Sequence, residues 1–388
     1  MTSGIGRHFL QIPGPTNVPD EVLRAISAPT IDHRGPEFAI MALEVLDALK
    51  PVFGTTGPVV IFPASGTGAW EAALVNTLSP GDRVLCFETG QFATQWQGMA
   101  AKLGLVVDFV PGDWRHGVDP VFVAERLHAD TDRLIKAVLV VHNETSTGVM
   151  SSIADVRAGL DEAGHPALLL VDAVSSLGAV EYLHDEWRVD VTVAGSQKGL
   201  MLPPGLGFNA VSAKALAASS TAGLPSSYWD WNPILATNKG GFWPYTPPTN
   251  LIYGLREALR LLNAEGLEAV FARHQRHAAA TRAAVRGWGL EIVCLDEQQH
   301  SPTLTAVMVP TDRNADEIRA VILDRFNMSL GTGLGKLAGR VFRIGHLGHF
   351  NDISLAGTLA GIQMGLALAG APVDPKGILA GLERLQQG

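Results

Sequence analysis

Three short segments carry residue types that could do chemistry together. Lys198, held between Gly195 and Gly199 in Gly195-Ser196-Gln197-Lys198-Gly199, closes one β-branched run, and Asp172 closes another, ALLLV followed by Asp172. A third run, PVVIF, is followed by Pro63-Ala64-Ser65-Gly66-Thr67-Gly68-Ala69 and then by the helical pattern WEAALVNTL. A glycine-rich turn that opens a helix points backbone N–H groups and the positive end of the helix dipole at an anion, so this turn suits a phosphate. It lacks the lysine of a nucleotide P-loop, and alone it serves equally well as a tight strand-to-helix turn. A carboxylate at the end of a buried strand is costly unless a cation or strong hydrogen-bond donor meets it, although Asp172 alone reads equally as a helix cap. A lysine confined in a semi-buried pocket can lose its proton and attack a carbonyl carbon. A solitary lysine of this kind is more often one that snorkels to the surface.

Together the three weigh more than singly. A phosphate cradle, a buried carboxylate and a buried amine at one edge of a sheet are the three anchors of pyridoxal phosphate: helix N-terminus on phosphate, Asp on the pyridine nitrogen, Lys on the aldehyde. The carboxylate keeps the ring nitrogen protonated, and a protonated ring draws electrons from a substrate carbanion. An aromatic must cover the ring. Phe92 follows the RVLCF run by the short turn Glu88-Thr89-Gly90-Gln91 and is the candidate.

The elements that must position these groups are read from alternating apolar runs and helical stretches. PVVIF (58–62), RVLCF (83–87), LVVDFV (105–110), KAVLVV (136–141), ALLLV (167–171) and DVTVAG (190–195) have no polar alternation, which predicts strands buried on both faces of a mostly parallel, helix-covered sheet, an α/β fold. Ligands of such sheets lie at the carboxyl ends of the strands, where Ser65 to Ala69, Asp172 and Lys198 all fall. Residues 20–53 read as two helices broken near Pro29 and residues 250–266 as one helix, with strands near 303–309 and 340–344. The organisation expected is an N-terminal arm over 1–20, kept extended by Pro13, Gly14, Pro15 and Pro19, a large cofactor-binding domain over 21–265 and a small C-terminal α+β domain over 266–388.

Composition excludes several other classes. The 388 residues are 47% apolar and 17% charged, with mean hydropathy +0.18, which places the chain with compact enzymes rather than disordered sequences. A net charge of −9 with no basic run interleaved with aromatics removes the footprint of a nucleic-acid binder. Cys86 and Cys294 are too few for a disulfide framework and read as inert core residues in a reducing compartment. Neither end shows a secretory or sorting signal, and a cytoplasmic location is expected. Residues 353–373 hold no charge, but four glycines, Gln363 and Pro372 argue for a buried helix with Leu355, Leu359, Ile362 and Leu366 on one face, not a membrane span.

SGTGAWEAALVNTLSPGD, NETSTGV, LLLVDAVSSLGA, GSQKGL and VFRIGHLG, in this order, resemble the class V aminotransferases, specifically the serine/alanine/aspartate:glyoxylate branch, over nearly the whole chain from PGPTNVP onward. The resemblance implies fold type I, with a mostly parallel seven-stranded sheet sandwiched by helices, and a homodimer with active sites shared across the interface. It makes Lys198 the lysine that bonds the cofactor aldehyde, Asp172 the pyridine-nitrogen partner, and Phe92 the stacking residue where relatives often carry the larger Trp. It gives the phosphate to Thr67, Gly68, Ala69 and Gln197, places Ser65, Gly66 and Thr145 among the cofactor-binding residues, and makes Ser146, Thr147 and Ser176 pocket neighbours. Arg343 matches the arginine that grips the substrate α-carboxylate, and the arm around Gly14 lines the substrate entrance. Thr246 matches a residue reaching the neighbouring subunit's phosphate. Trp243 stands where relatives often have Tyr, so that one contact is changed or supplied by Tyr245.

The activity implied is ping-pong transfer of an amino group from serine, alanine or aspartate to glyoxylate, giving glycine and a 2-oxo acid. The alternatives keep the cofactor, as a 2-aminoethylphosphonate:pyruvate transaminase or a class V lyase or desulfurase, or lose it, as a binding scaffold. Residues 329–339, SLGTGLGKLAG, lack the mobile-loop cysteine of a desulfurase. Asp32-His33-Arg34 reads as a solvated helix flank in preference to a cationic group selecting an acidic substrate. His346, His349 and Asp352 match no tetrahedral metal pattern, and no metal is expected.

Overall fold

The β-branched runs become strands of one sheet because their side chains must be buried on both faces. The computed structural model describes residues 7–387. In chain order the strands are β1 (Phe9–Gln11), β2 (Val59–Ala64), β3 (Arg83–Phe87), β4 (Val106–Val110), β5 (Ile135–Val141), β6 (Asn143–Glu144), β7 (Val149–Met150), β8 (Leu168–Asp172), β9 (Val191–Gly195), β10 (Gly205–Val211), β11 (Glu291–Ile292), β12 (Leu304–Met308), β13 (Met328–Thr332) and β14 (Val341–Gly345). The large sheet has seven strands in the order β2-β10-β9-β8-β5-β3-β4. Only β10 runs against its neighbours; β9, β8, β5, β3 and β4 pair in parallel.

The six apolar runs read from the sequence are six of these seven strands. The seventh, β10, is broken by Gly205, Gly207 and Asn209 and gives no continuous apolar run. Packing explains Gly207: a Cβ there would lie 2.7 Å from the Ser65 carbonyl oxygen, at the start of the helix Gly66–Val75 that lies against β10. The strand gives up β-propensity so that the helix can approach.

Two helices, Asp20–Ile26 and Pro36–Phe53, precede the sheet as expected, and Thr249–Glu265 forms the helix read near 250–266. One apolar cluster runs from Val22 to Val270 around the large sheet; a second, from Ala280 to Leu366, lies under the five-stranded sheet β1-β13-β14-β12-β11. The two clusters part within the helix Leu267–Gly287, which serves both. Residues 352–368 form a helix whose Leu355, Leu359, Ile362 and Leu366 are fully buried, and among the described residues no helix is long and apolar enough to cross a membrane. Ile362→Ala removes a side chain from this packed face and is expected to lower unfolding free energy by about 2–5 kcal/mol, read from the urea transition.

The N-terminal arm has a partner that its proline-rich sequence does not reveal. Phe9, Leu10 and Gln11 pair in parallel with Met328, Ser329 and Leu330, so the arm begins as an edge strand of the C-terminal sheet. From there Pro13 to Thr16 crosses to the carboxyl ends of β8 and β9, joining the small sheet to the large one at the point where Asp172 and Lys198 emerge.

Candidate active site

The Lys198 turn is set by backbone bonds. Ser196 N–H donates to Leu206 O (3.0 Å) and Met201 N–H to Lys198 O (3.0 Å), closing the turn between β9 and β10. The arm then covers it: Thr16 N–H donates to Gln197 O (3.1 Å), the Thr16 hydroxyl to Lys198 O (3.1 Å), and Lys198 Nζ to the Pro13 carbonyl. Gly14, at φ 102°, passes so close that a Cβ would fall 2.5 Å from Lys198 Nζ, and the left-handed backbone makes glycine the residue that fits. Burial, reinforced by the Arg343 guanidinium, pushes the Lys198 ammonium down to about 7, although Asp172 and Glu144 pull the other way. A large share of the amine is therefore neutral near pH 7.

Asp172 ends β8, in register with Val141 and Val193 of its two neighbours. Its Oδ1 accepts from Val174 N–H (2.7 Å) and its Oδ2 from the Trp70 indole N–H (3.0 Å). Burial pushes its carboxyl up to about 7; the Val174 N–H lowers it, Glu144 raises it further, and Trp70 and Lys198 lower it. A cation arriving beside this carboxylate would hold it charged.

Arg343 lies on β14. Its Nε donates to Thr332 O (2.7 Å) and its Nη1 to Thr145 O (2.8 Å). These bonds leave three of the guanidinium's five N–H groups, on Nη1 and Nη2, as an end-on fork suited to a carboxylate. Glu144 completes the set. Fully buried, it accepts from the backbone N–H of Phe92 and Ala93 (both 3.1 Å) and from the Ser146 N–H (3.0 Å) and hydroxyl (2.7 Å). It thereby caps the helix Gln91–Lys102 that presents Phe92. Two buried carboxyl groups, a buried amine and a buried guanidinium share this edge of the sheet; burial pushes both carboxyls up and the amine down, so each is drawn toward its neutral form.

The glycine turn opens the helix Gly66–Val75, and Ser65 at its N-cap makes no side-chain capping bond, so the first-turn amides have no side-chain partner from their own cap. A Cβ on Gly195 would come within 3.0 Å of Gln197 Oε1 and 3.3 Å of Gly66 N, and that Gln197 oxygen is buried without a partner. The Gly66, Thr67 and Gly68 N–H groups open toward an anion at this turn, while the Ala69 N–H is bonded to Ser65 O (3.1 Å); Gln197 Oε1 only accepts, so Gln197 would join an anion through its Nε2, with the side-chain amide turned over.

Several expected neighbours have other work. The Ser176 hydroxyl is engaged by His142 Nδ1 (2.9 Å) and Ala173 O (3.3 Å), and the Thr145 hydroxyl donates to Ser175 Oγ (2.7 Å). Ser146 braces Glu144, and Thr147 Oγ1 reaches Glu144 O at 3.5 Å. Trp243 gives its N–H to Ile61 O (3.1 Å) and packs edge-on against Phe38, so its indole is a core strut with no donor left for a phosphate. Thr246 is exposed, and the adjacent Tyr245 stacks on Tyr228 with its buried hydroxyl unpartnered. Asp32 accepts from Arg34 N–H (2.9 Å) in a turn ahead of the helix Pro36–Phe53; Asp32 and Arg34 are exposed, whereas His33 is half-buried with its Nε2 buried and unpartnered. Both His346 nitrogens are occupied by Thr305 and Pro302, and Asp352 binds Arg276 and His277.

Reading residues from the sequence missed Trp70 and Glu144. Glu144 lies three positions past the end of the KAVLVV run, so the rule that finds chemistry after each strand would have reached it had β5 been followed past Val141. Trp70 lay inside a helix pattern, where an indole reads as core.

A seven-stranded, mostly parallel sheet with a buried lysine, a buried aspartate and an anion cradle at its carboxyl edge defines a pyridoxal-phosphate enzyme of fold type I. The chain belongs to the class-V aminotransferase family, whose model matches residues 8–335. It is 48% identical to the serine–glyoxylate aminotransferase of Methylorubrum extorquens, over 98% of this chain and 97% of that one. It is 46% identical to the L-aspartate–glyoxylate aminotransferase of Paracoccus denitrificans, over 97% and 96%. Among solved structures, pyridoxamine–pyruvate aminotransferase from Mesorhizobium loti superposes with a TM-score of 0.92 at 29% identity, over 100% of this chain and 99% of that one.

Proposed function

We propose that this enzyme moves the amino group of a small L-amino acid, serine, alanine or aspartate, to glyoxylate, yielding glycine and a 2-oxo acid in two half-reactions. The observation that carries the reading is Lys198: a buried amine, held down to about 7, beside a guanidinium fork and a buried carboxylate. The names of the relatives supply the acceptor. When bound, pyridoxal phosphate supplies an electron sink for the electrons freed at the substrate Cα. Gly66 to Gly68 and Gln197 would hold its phosphate, Asp172 its ring nitrogen and Phe92 its ring face. Arg343 binds the substrate carboxylate and so aims the Cα–H bond, while the neutral Lys198 amine takes the Cα proton and returns it elsewhere as general base and then acid. The arm segment Pro13 to Thr16 roofs the amine against water.

A desulfurase needs an accessible thiolate. Cys86 and Cys294 are both buried, and burial pushes both thiols up, Cys294 to about 11. We also read the enzyme as a cytoplasmic homodimer, with Thr246 reaching the partner's phosphate; exposed Ile40 and Leu43 on the helix Pro36–Phe53 support a covered surface there. We read the chain as two domains divided near 265/266; the two apolar clusters favour a division of this kind but part further on, between Val270 and Ala280.

The test is to add L-serine, L-alanine and L-aspartate separately to the yellow holoenzyme without acceptor, then glyoxylate, while following the visible band and glycine. Bleaching by a donor and recovery with glyoxylate is expected; a band indifferent to all three overturns transamination from these donors. Arg343→Lys replaces the fork by a point charge and is expected to raise KM for donor and glyoxylate by about 10–100-fold, with a smaller change in kcat. Attachment of pyridoxal phosphate to the apoenzyme requires the neutral amine. Its rate should rise as pH passes through about 7 and level above it, whereas an ordinary lysine would keep gaining toward pH 10; stopped-flow absorbance distinguishes the two.

A further inference from the structure

Trp70 is fully engaged in a way that core packing does not require. Its indole N–H donates to Asp172 Oδ2 (3.0 Å), its ring lies 6.4 Å from that of Phe92, and Trp96 stacks behind it at 5.8 Å with an interplanar angle of 13°. Trp96, by contrast, has a buried N–H with no partner and no contact with Asp172 among the described bonds, so its role is packing. Trp70 also sits one turn beyond Gly66 on the helix whose open amides form the anion cradle. One rigid helix thus carries the phosphate site at its first turn and, a turn later, the group that holds the carboxylate meant for the ring nitrogen.

We propose that Trp70 is a positioning residue for the cofactor: its N–H orients Asp172 and its ring backs Phe92, so that the helix Gly66–Val75 sets phosphate, ring nitrogen and ring face in register. The inference rests on the pyridoxal-phosphate reading of the site. Val174 N–H fixes one carboxylate oxygen and Trp70 the other, which leaves the carboxylate a single orientation, with the remaining lone pairs toward the pocket. The Trp70 ring, 6.4 Å from that of Phe92 and tilted 60° to it, adds aromatic bulk behind Phe92.

The experiment measures the dissociation constant of pyridoxal phosphate by equilibrium dialysis with folded, full-length apoenzyme, comparing Trp70→Phe, Trp96→Phe and Trp70→Phe in an Asp172→Ala background. Loss of a hydrogen bond to a charged acceptor is expected to weaken binding about tenfold in Trp70→Phe. Trp96→Phe should stay within about twofold by the same reasoning, since no such bond is removed. In the Asp172→Ala background the Trp70 effect should vanish. An equal effect in both backgrounds, or no effect in either, overturns the proposal and leaves Trp70 as packing. The acid limb of cofactor binding should also move to higher pH in Trp70→Phe, because the lost N–H favoured the ionised carboxyl; Glu144, Lys198 and Tyr182, which face Asp172 as well, are unaltered and set the reference. Should Trp70→Phe fail to fold, the indole N–H resonances of Asp172→Ala, which retains no side-chain acceptor, decide: one moves upfield if the bond exists, and none moving overturns it. Failure of the underlying reading looks different, since unsubstituted apoenzyme would then bind no pyridoxal phosphate through Lys198.

Discussion

Lys198→Ala leaves a folded protein that no longer transaminates. Glycine formation from glyoxylate and any donor is expected to fall by about 10⁴-fold or more, because on the mechanism proposed above the substitution removes both the covalent tether and the group that shuttles the Cα proton. Fold retention is expected because the Nζ bond to the Pro13 carbonyl is one of several that dock the arm; the Thr16 bonds to Gln197 O and Lys198 O use backbone acceptors that alanine keeps. The measurement is a coupled glycine assay alongside far-ultraviolet circular dichroism. Ordinary turnover in a correctly folded variant would sink the assignment of Lys198.

Asp172→Asn is the second large effect. The amide keeps the shape of the side chain and an acceptor for Val174 N–H or Trp70, but it removes the buried negative charge that a protonated pyridine requires. Turnover is expected to fall by about 10²–10³-fold, as when a preorganised electrostatic partner is lost, with weaker cofactor retention on dialysis. The charge also matters to its neighbours. Asp172 raises the proton affinity of Lys198, so its loss should shift the attachment profile of the amine to lower pH. Kinetics unchanged from the unsubstituted enzyme would place another group at the ring nitrogen.

The shared place of Asp172 and Lys198 at one edge of the sheet was legible in the sequence because strand ends are legible: an apolar run that stops at Asp172 or just before Lys198 marks where a parallel sheet delivers side chains to a ligand. What escaped was carried by tertiary approach. The glycines of β10 answer the proximity of Ser65, which no local pattern encodes, and the strand was lost with them. Trp70 falls within a helical pattern, where an indole reads as packing; its N–H acquires meaning only because the fold places Asp172, 102 positions away, within 3.0 Å. Trp243 shows the reverse. Its place in a recognisable segment suggested a role beside the cofactor, and the fold spends its indole on the Ile61 carbonyl instead.

The arm makes the two ends of the chain interdependent. Phe9 to Gln11 can join a sheet only after Met328 to Leu330 has been made, and until then Pro13 and Thr16 have no anchored route over Lys198. On the ribosome the large sheet can assemble while its lysine still lies uncovered, so the nascent enzyme passes through a stage with a complete scaffold and an unroofed amine. Closing so long a loop comes late in folding, so the cover over Lys198 comes from a segment made before the large sheet yet among the last to be placed.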